Sequence, residues 1–291
     1  MLQSAAYERR SPLLYFILNS GPLVCIELNI RDNLLCNFHA SDRTFYVSTS
    51  SYIFCTSVNQ YCINIEIKMA SNLKGVYHAA AFGWYVFVVT TLAAKNGEEL
   101  PPGIFVYGGP WKYLTFLNLL LQMVFFGLAA VNDLHHGKNS ASTLNRCTDL
   151  MFSIFAFPVG MFVVVLFWTI FAYDRELVYP ATIDAFLPPW TNHAMHTFVL
   201  PLVLGEFLVQ YHAYPQTKCA LATLGLVGLG YLFWIVWVYV SAGIWVYPLL
   251  GHFSAVGLVG FFCFNMSVVT LFYLLGDKLN SQVWKNRCNR Y

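Results

Sequence analysis

The segment WKYLTFLNLLLQ, residues 111–122, opens an apolar run long enough to cross a bilayer, yet three polar side chains interrupt it. Thr115, Asn118 and Gln122 fall at i, i+3 and i+7, which puts them on one face of a helix. The run predicts a membrane helix with a polar stripe. On its own, such a stripe most economically hydrogen-bonds to neighbouring helices.

The rest of the chain has the same character. Of 291 residues, 58% are hydrophobic and 10% charged, against about 25% charged in soluble domains. This predicts an all-α, polytopic membrane helix bundle. A net charge of +2, with its basic residues scattered, argues against a nucleic-acid partner. The eight cysteines form no C-x-x-C pair, and half of them lie in the first 62 residues, so they suggest neither a zinc site nor a disulfide framework.

Six segments are long and apolar enough to span: roughly 75–94, 111–131, 150–173, 190–210, 219–240 and 253–275. Trp111, Tyr173, Trp190 and Tyr211 mark their ends, as interfacial aromatics do. Pro158 and Pro201 sit inside the third and fourth, where each frees a backbone carbonyl and kinks the helix. Residues 69–276 are expected to form this bundle and 277–291 a short basic tail. With residue 69 inside, Lys74, Lys138, Arg146, Lys218, Lys278, Lys285, Arg287 and Arg290 fall inside, and Lys95, Lys112 and Arg175 outside. That imbalance predicts a multi-pass protein of the cell membrane or endomembranes with both termini cytoplasmic.

Residues 1–68 read differently. Their apolar pieces are short, without sustained helical period, and Met69 opens MASNLKGVYHAAAFGWYVFVV like a natural start. They are expected to be an upstream extension without a fold of its own.

Depth selects the candidate site. Thr115 lies four residues inside Trp111, about 6 Å deep, and His196 lies six residues inside Trp190, about 9 Å deep. The second and fourth spans run parallel, so hydroxyl and imidazole meet the same membrane edge. A threonine hydroxyl becomes a nucleophile when a base takes its proton, and a neutral imidazole suits that task. Ester or amide cleavage is the chemistry such a pair allows, and an acyl chain is at home between the helices. A third group usually orients the base; Asp174, Glu176 and Asp184 lie at the same edge, and nothing in the sequence chooses among them. Asn192 and His193 are near enough to donate hydrogen bonds, including to an oxyanion. Elsewhere, Glu206 suggests a structural or snorkelling role, and Asp149 a helix cap. Asp133 with His135 and His136 is weak evidence for a metal, and no metal or cofactor is expected.

Five segments, WKYLTFLNLLLQ, FAFPVGMFVVVLFW, YDRELVYP, TNHAMHTFVLP and GIWVYP, resemble in order and spacing the androgen-induced-gene-1 family, over about residues 73 to 284. The resemblance implies a membrane hydrolase that cleaves fatty acid esters of hydroxy fatty acids with a threonine nucleophile and a histidine. The family threonine closes a W-K-[FY]-[LM]-T block, here Thr115. The family histidine is the second of an N-H-x-M-H block, here His196; the first, His193, carries no catalytic role. The chain departs from the family where an Arg-Asp pair is expected, since Cys147 and Thr148 separate Arg146 from Asp149, and at Thr191, where leucine is expected. The partners implied are the lipid ester substrate and membrane lipids, with oligomeric state open. The alternative function is a non-enzymatic membrane regulator or small transporter.

Overall fold

The computed structural model describes the backbone of residues 49–94, 107–134 and 143–288, with side chains for 72–94, 107–134 and 143–285. The chain divides into two units, 1–68 and 69–291. Of the first, residues 49–68 have helical backbone and the remainder lies outside the described residues, as do His135 and His136. The second unit is the helix bundle.

Among the described residues, five helices are long and apolar enough to cross a membrane. They are Asn72–Ala94 within α1 (Thr49–Ala94), α2 (Leu114–Leu134), Thr143–Tyr173, α7 (Thr217–Ala242), and Ala255–Lys285 within α8 (Ala255–Cys288). Thr143–Tyr173 is central: 61% of its apolar window is buried, against 17% for α7 and α8. Outward-facing Leu226, Phe233 and Val240 on α7 stay largely exposed, as expected of a lipid-facing surface. The core is rich in aromatics, with Tyr85, Phe125, Phe126, Phe152 and Phe157 fully buried.

The central span has three parts: α3 (Thr143–Leu150), a π-turn over Met151–Ala156, and α4 (Phe157–Tyr173). Pro158 supplies no N–H to the ladder, and Phe157 N–H reaches back five residues to the Phe152 carbonyl. The helix starts at Thr143, before the expected 150, so Asp149 is an interior helical residue and not a cap.

The expected fourth span, 190–210, is not one helix. It is α5 (Pro189–His196) and α6 (Val199–Val209), parted at Thr197–Phe198. The Pro201 ring faces the carbonyl four residues earlier, that of Thr197, which instead accepts from Leu200 N–H at 3.1 Å. The His196 carbonyl is taken up by the Trp168 indole N–H at 2.9 Å. A broken helix is tolerated inside a membrane bundle when neighbours satisfy its freed groups in this way.

At the end of the bundle opposite Thr115, polar groups from five segments form one buried array. His78 lies between Asp133 (2.6 Å) and Glu206 (2.9 Å), and His212 between Glu206 (2.8 Å) and Asp149 (3.0 Å). Lys74 closes one end on Asp133 at 2.8 Å. Both histidines and Glu206 are fully buried, so Glu206 is a structural member of the array and does not snorkel. Asp133, engaged by Lys74 and His78, belongs to this array.

Candidate active site

Thr115 is placed by the turn that starts α2. Gly108 and Gly109 take φ of 86° and 50°, a left-handed region that glycine enters without strain, and lead through Pro110 into a short 3-10 turn, Gly109–Lys112. A Cβ on Gly108 would also lie 3.3 Å from the Trp234 ring. Two tyrosines then hold the helix entry. Tyr231 donates its hydroxyl to the Lys112 carbonyl (3.0 Å), and Tyr247 accepts the Leu114 N–H (2.9 Å), one of the donors a helix start leaves without an internal partner. Thr115 follows, half-buried.

His196 ends α5, where the chain breaks. Its ring is 3% exposed and stacks on Phe167, with centroids 3.5 Å apart and planes 3° from parallel. Nδ1 is 2.7 Å from the Asn192 side-chain oxygen and 3.1 Å from the Asn192 backbone carbonyl. A backbone carbonyl only accepts, so Nδ1 carries the hydrogen and Nε2 presents its lone pair. Nε2 is 3.1 Å from Thr115 Oγ1, and the threonine hydroxyl is therefore the donor. A hydroxyl, an imidazole nitrogen within hydrogen-bond reach of it and a group orienting the ring stand in line: Thr115, His196, Asn192.

The orienting group is not one of the three acids. Asp174 accepts the Glu176 N–H (3.0 Å), Glu176 accepts the Ala181 N–H (2.9 Å), and Asp184 pairs with Arg175 (2.8 Å). Short local turns in the loop occupy them. Asn192, expected from sequence as a hydrogen-bond donor, instead accepts from His196 through its side-chain oxygen, and its i, i+4 relation to His196 is the sequence signal for this place. His193 is exposed, its Nδ1 3.1 Å from Thr197 Oγ1 and its ring stacked on Trp168. Thr191 is buried and donates to the Pro188 carbonyl, which stabilises the first turn of α5. Around the site, burial lowers the Lys112 ammonium from its ordinary value and lifts the Tyr179 phenol to about 12.

Of the two deeper members of the stripe, Gln122 bonds to a neighbouring helix as expected, whereas the Asn118 side chain, among the described residues, bonds only to Gln122 on its own helix. Gln122 Nε2 donates to the Ala156 carbonyl (2.7 Å), at the end of the π-turn, and to Asn118 Oδ1 (3.2 Å). This approach requires glycine at 160, where a Cβ would lie 2.8 Å from Gln122 Nε2.

A family model described as FAR-17a/AIG1-like protein matches residues 73–281. The chain belongs to this family. Its curated relatives include the human androgen-dependent TFPI-regulating protein, 39% identical over 212 residues, which cover 72% of this chain and 92% of that protein. The mouse protein of the same name is 41% identical over 74% of this chain and 95% of its own length. The human androgen-induced gene 1 protein is 40% identical over 61% of this chain and 79% of its own length. No solved structure matches.

In this FAR-17a/AIG1-like protein the five segments that carry the resemblance, distant in sequence, converge on one place. The first holds Thr115, the second Phe167 and Trp168, and the fourth Asn192 and His196. The third holds Tyr179, packed edge-on against Phe167 at 6.2 Å, and the fifth Tyr247, which caps α2.

Proposed function

We propose that this protein is an integral membrane threonine hydrolase that cleaves the ester bond of fatty acid esters of hydroxy fatty acids. The observation that carries the reading is the 3.1 Å contact between Thr115 Oγ1 and the lone-pair nitrogen of His196, with the tautomer held by Asn192. Thr115 attacks the ester carbonyl as His196 Nε2 takes its proton. The tetrahedral intermediate collapses, the C–O bond to the hydroxy fatty acid breaks, and the leaving alkoxide takes the proton from His196. Water then attacks the acyl-threonine, again giving its proton to His196, which returns it to Thr115 as the fatty acid departs. Stacking on Phe167 and the Trp168 bond to the His196 carbonyl keep the ring in place through both halves. The family resemblance and the place of the site within an apolar helix bundle support this substrate class. The excess of basic residues on one side supports cytoplasmic termini, which put Thr115 toward the other face of the membrane.

Membranes expressing wild type, Thr115→Ala and His196→Ala are assayed for hydrolysis of a branched fatty acid ester. Turnover by wild type that disappears in both variants is expected. Full turnover in either well-folded variant sinks the assignment. The competing reading is a regulator without hydrolytic activity, which the names of the TFPI-regulating relatives favour. It requires wild type to be inactive and unlabelled by a fluorophosphonate probe.

A further inference from the structure

The negative oxygen that forms in the tetrahedral intermediate needs a hydrogen-bond donor. One turn inward of Thr115, on the same face of α2, lies Asn118, which is 1% exposed. Its Nδ2 is buried without a hydrogen-bond partner among the described residues. A chain of bonds fixes the orientation of this amide. The Ala156 carbonyl only accepts, so the Gln122 atom 2.7 Å from it is the nitrogen. That NH2 has a second hydrogen, and the Asn118 atom 3.2 Å away must accept it, so it is Oδ1. Turning Asn118 over would set two NH2 groups against each other. The free end of Asn118 is therefore its donor.

A buried NH2 without a partner costs about 1–3 kcal/mol, and almost all such groups in folded proteins are paired. Asn118 Oδ1 is turned toward Gln122, one turn deeper, which leaves Nδ2 on the opposite branch of the amide. Residues i and i+3 of a helix have Cβ atoms about 5–6 Å apart, and side chains lean toward the helix N-terminus. For Asn118 that direction is toward Thr115.

We propose that Asn118 is the oxyanion donor of this site, a third catalytic residue on the same helix face as the nucleophile; this rests on the threonine-hydrolase reading. As the Thr115 Oγ1–carbon bond forms, the carbonyl π pair moves onto oxygen, and Nδ2–H of Asn118 donates to it. When the C=O re-forms and the alkoxide leaves, the hydrogen bond weakens again. Gln122 and the Ala156 carbonyl act as its positioning groups, which gives the inner half of the polar stripe a role in the chemistry.

The test compares purified wild type, Thr115→Ala, Asn118→Ala and Asn118→Asp, with active sites titrated so that folding losses are separated from rate. Asn118→Asp keeps an acceptor for Gln122 and, as a carboxylate, replaces the donor with an acceptor whose charge repels the oxyanion, so it serves if the alanine variant fails to fold. Loss of a single oxyanion donor is expected to lower kcat about 10²–10³-fold, with KM within about threefold of wild type. A long-chain acyl trifluoromethyl ketone, which traps the nucleophile as a tetrahedral adduct, is expected to lose affinity by a similar factor while product fatty acid binds unchanged. A merely structural Asn118 would move the titrated fraction and not this split. If Thr115→Ala is inactive but Asn118→Asp turns over within about threefold of wild type, the oxyanion assignment is wrong and the hydrolase reading stands. If Thr115→Ala retains full activity, both fall together.

Discussion

Asn192 and His196 sit one turn apart on α5, and the histidine Nδ1 hydrogen is shared between the asparagine's side-chain oxygen at 2.7 Å and its backbone carbonyl at 3.1 Å. The imidazole is thus oriented from within its own helix, and its lone pair is aimed at Thr115. Removing the side-chain acceptor leaves the weaker backbone contact and lets the ring populate the other tautomer, whose Nε2–H cannot accept a proton. Asn192→Ala is expected to lower kcat by about 10–100-fold, short of the ~10²–10⁴-fold that general-base catalysis contributes. Asn192→Asp, which still accepts, is expected to retain more. Steady-state ester hydrolysis checks both.

Tyr247 reaches α2 from beyond α7 and accepts the Leu114 N–H, one residue before Thr115. Its hydroxyl also meets that of Tyr231 at 3.1 Å. In Tyr247→Phe the amide loses its partner, at a cost of about 1–3 kcal/mol. Because the affected turn carries Thr115, activity is expected to fall further than the folded fraction does. Thermal unfolding in detergent alongside the ester assay distinguishes the two effects.

Glu206 bridges His78 and His212 with both carboxylate oxygens, far from Thr115 along the bundle. Breaking a buried ion pair by deleting one partner costs about 3–5 kcal/mol, since the remaining groups stay desolvated and uncompensated. Glu206→Ala is expected to destabilise the bundle by that amount. Because the array and the Thr115–His196 pair occupy opposite ends, the fraction that folds should hydrolyse at nearly the wild-type rate. Denaturant titration and active-site-normalised turnover test this.

His212 lies in the turn between α6 and α7. Burial opposes its charge, but hydrogen bonds to Asp149 and Glu206 outweigh that and raise its pKa above the ordinary value. Its unfolded value is about 6.5. The stabilisation is therefore fully present below about pH 6.5 and is lost as pH rises through the raised folded value, because the folded state then holds a proton the unfolded state has released. Thermal stability is expected to decline as pH rises above about 6.5, and His212→Asn should flatten that slope. A pH series of melting curves decides it.

Length, composition and the spacing of Thr115, Asn118 and Gln122 were sufficient for the membrane class, most of the spans, the polar face of α2 and the matched depth of Thr115 and His196. These are axial properties, because position along a helix is residue count multiplied by a constant rise. What lies beside a helix is not local. The break after His196, Asn192 as the group that orients its ring, Phe167 against the imidazole and Tyr247 beneath α2 all depend on how the helices rotate and pack. The array of His78, Asp133, Asp149, Glu206 and His212 was the least legible: in sequence each is a solitary polar residue. The bilayer favours any arrangement that pairs such groups away from lipid, and only the packed bundle decides which ones meet.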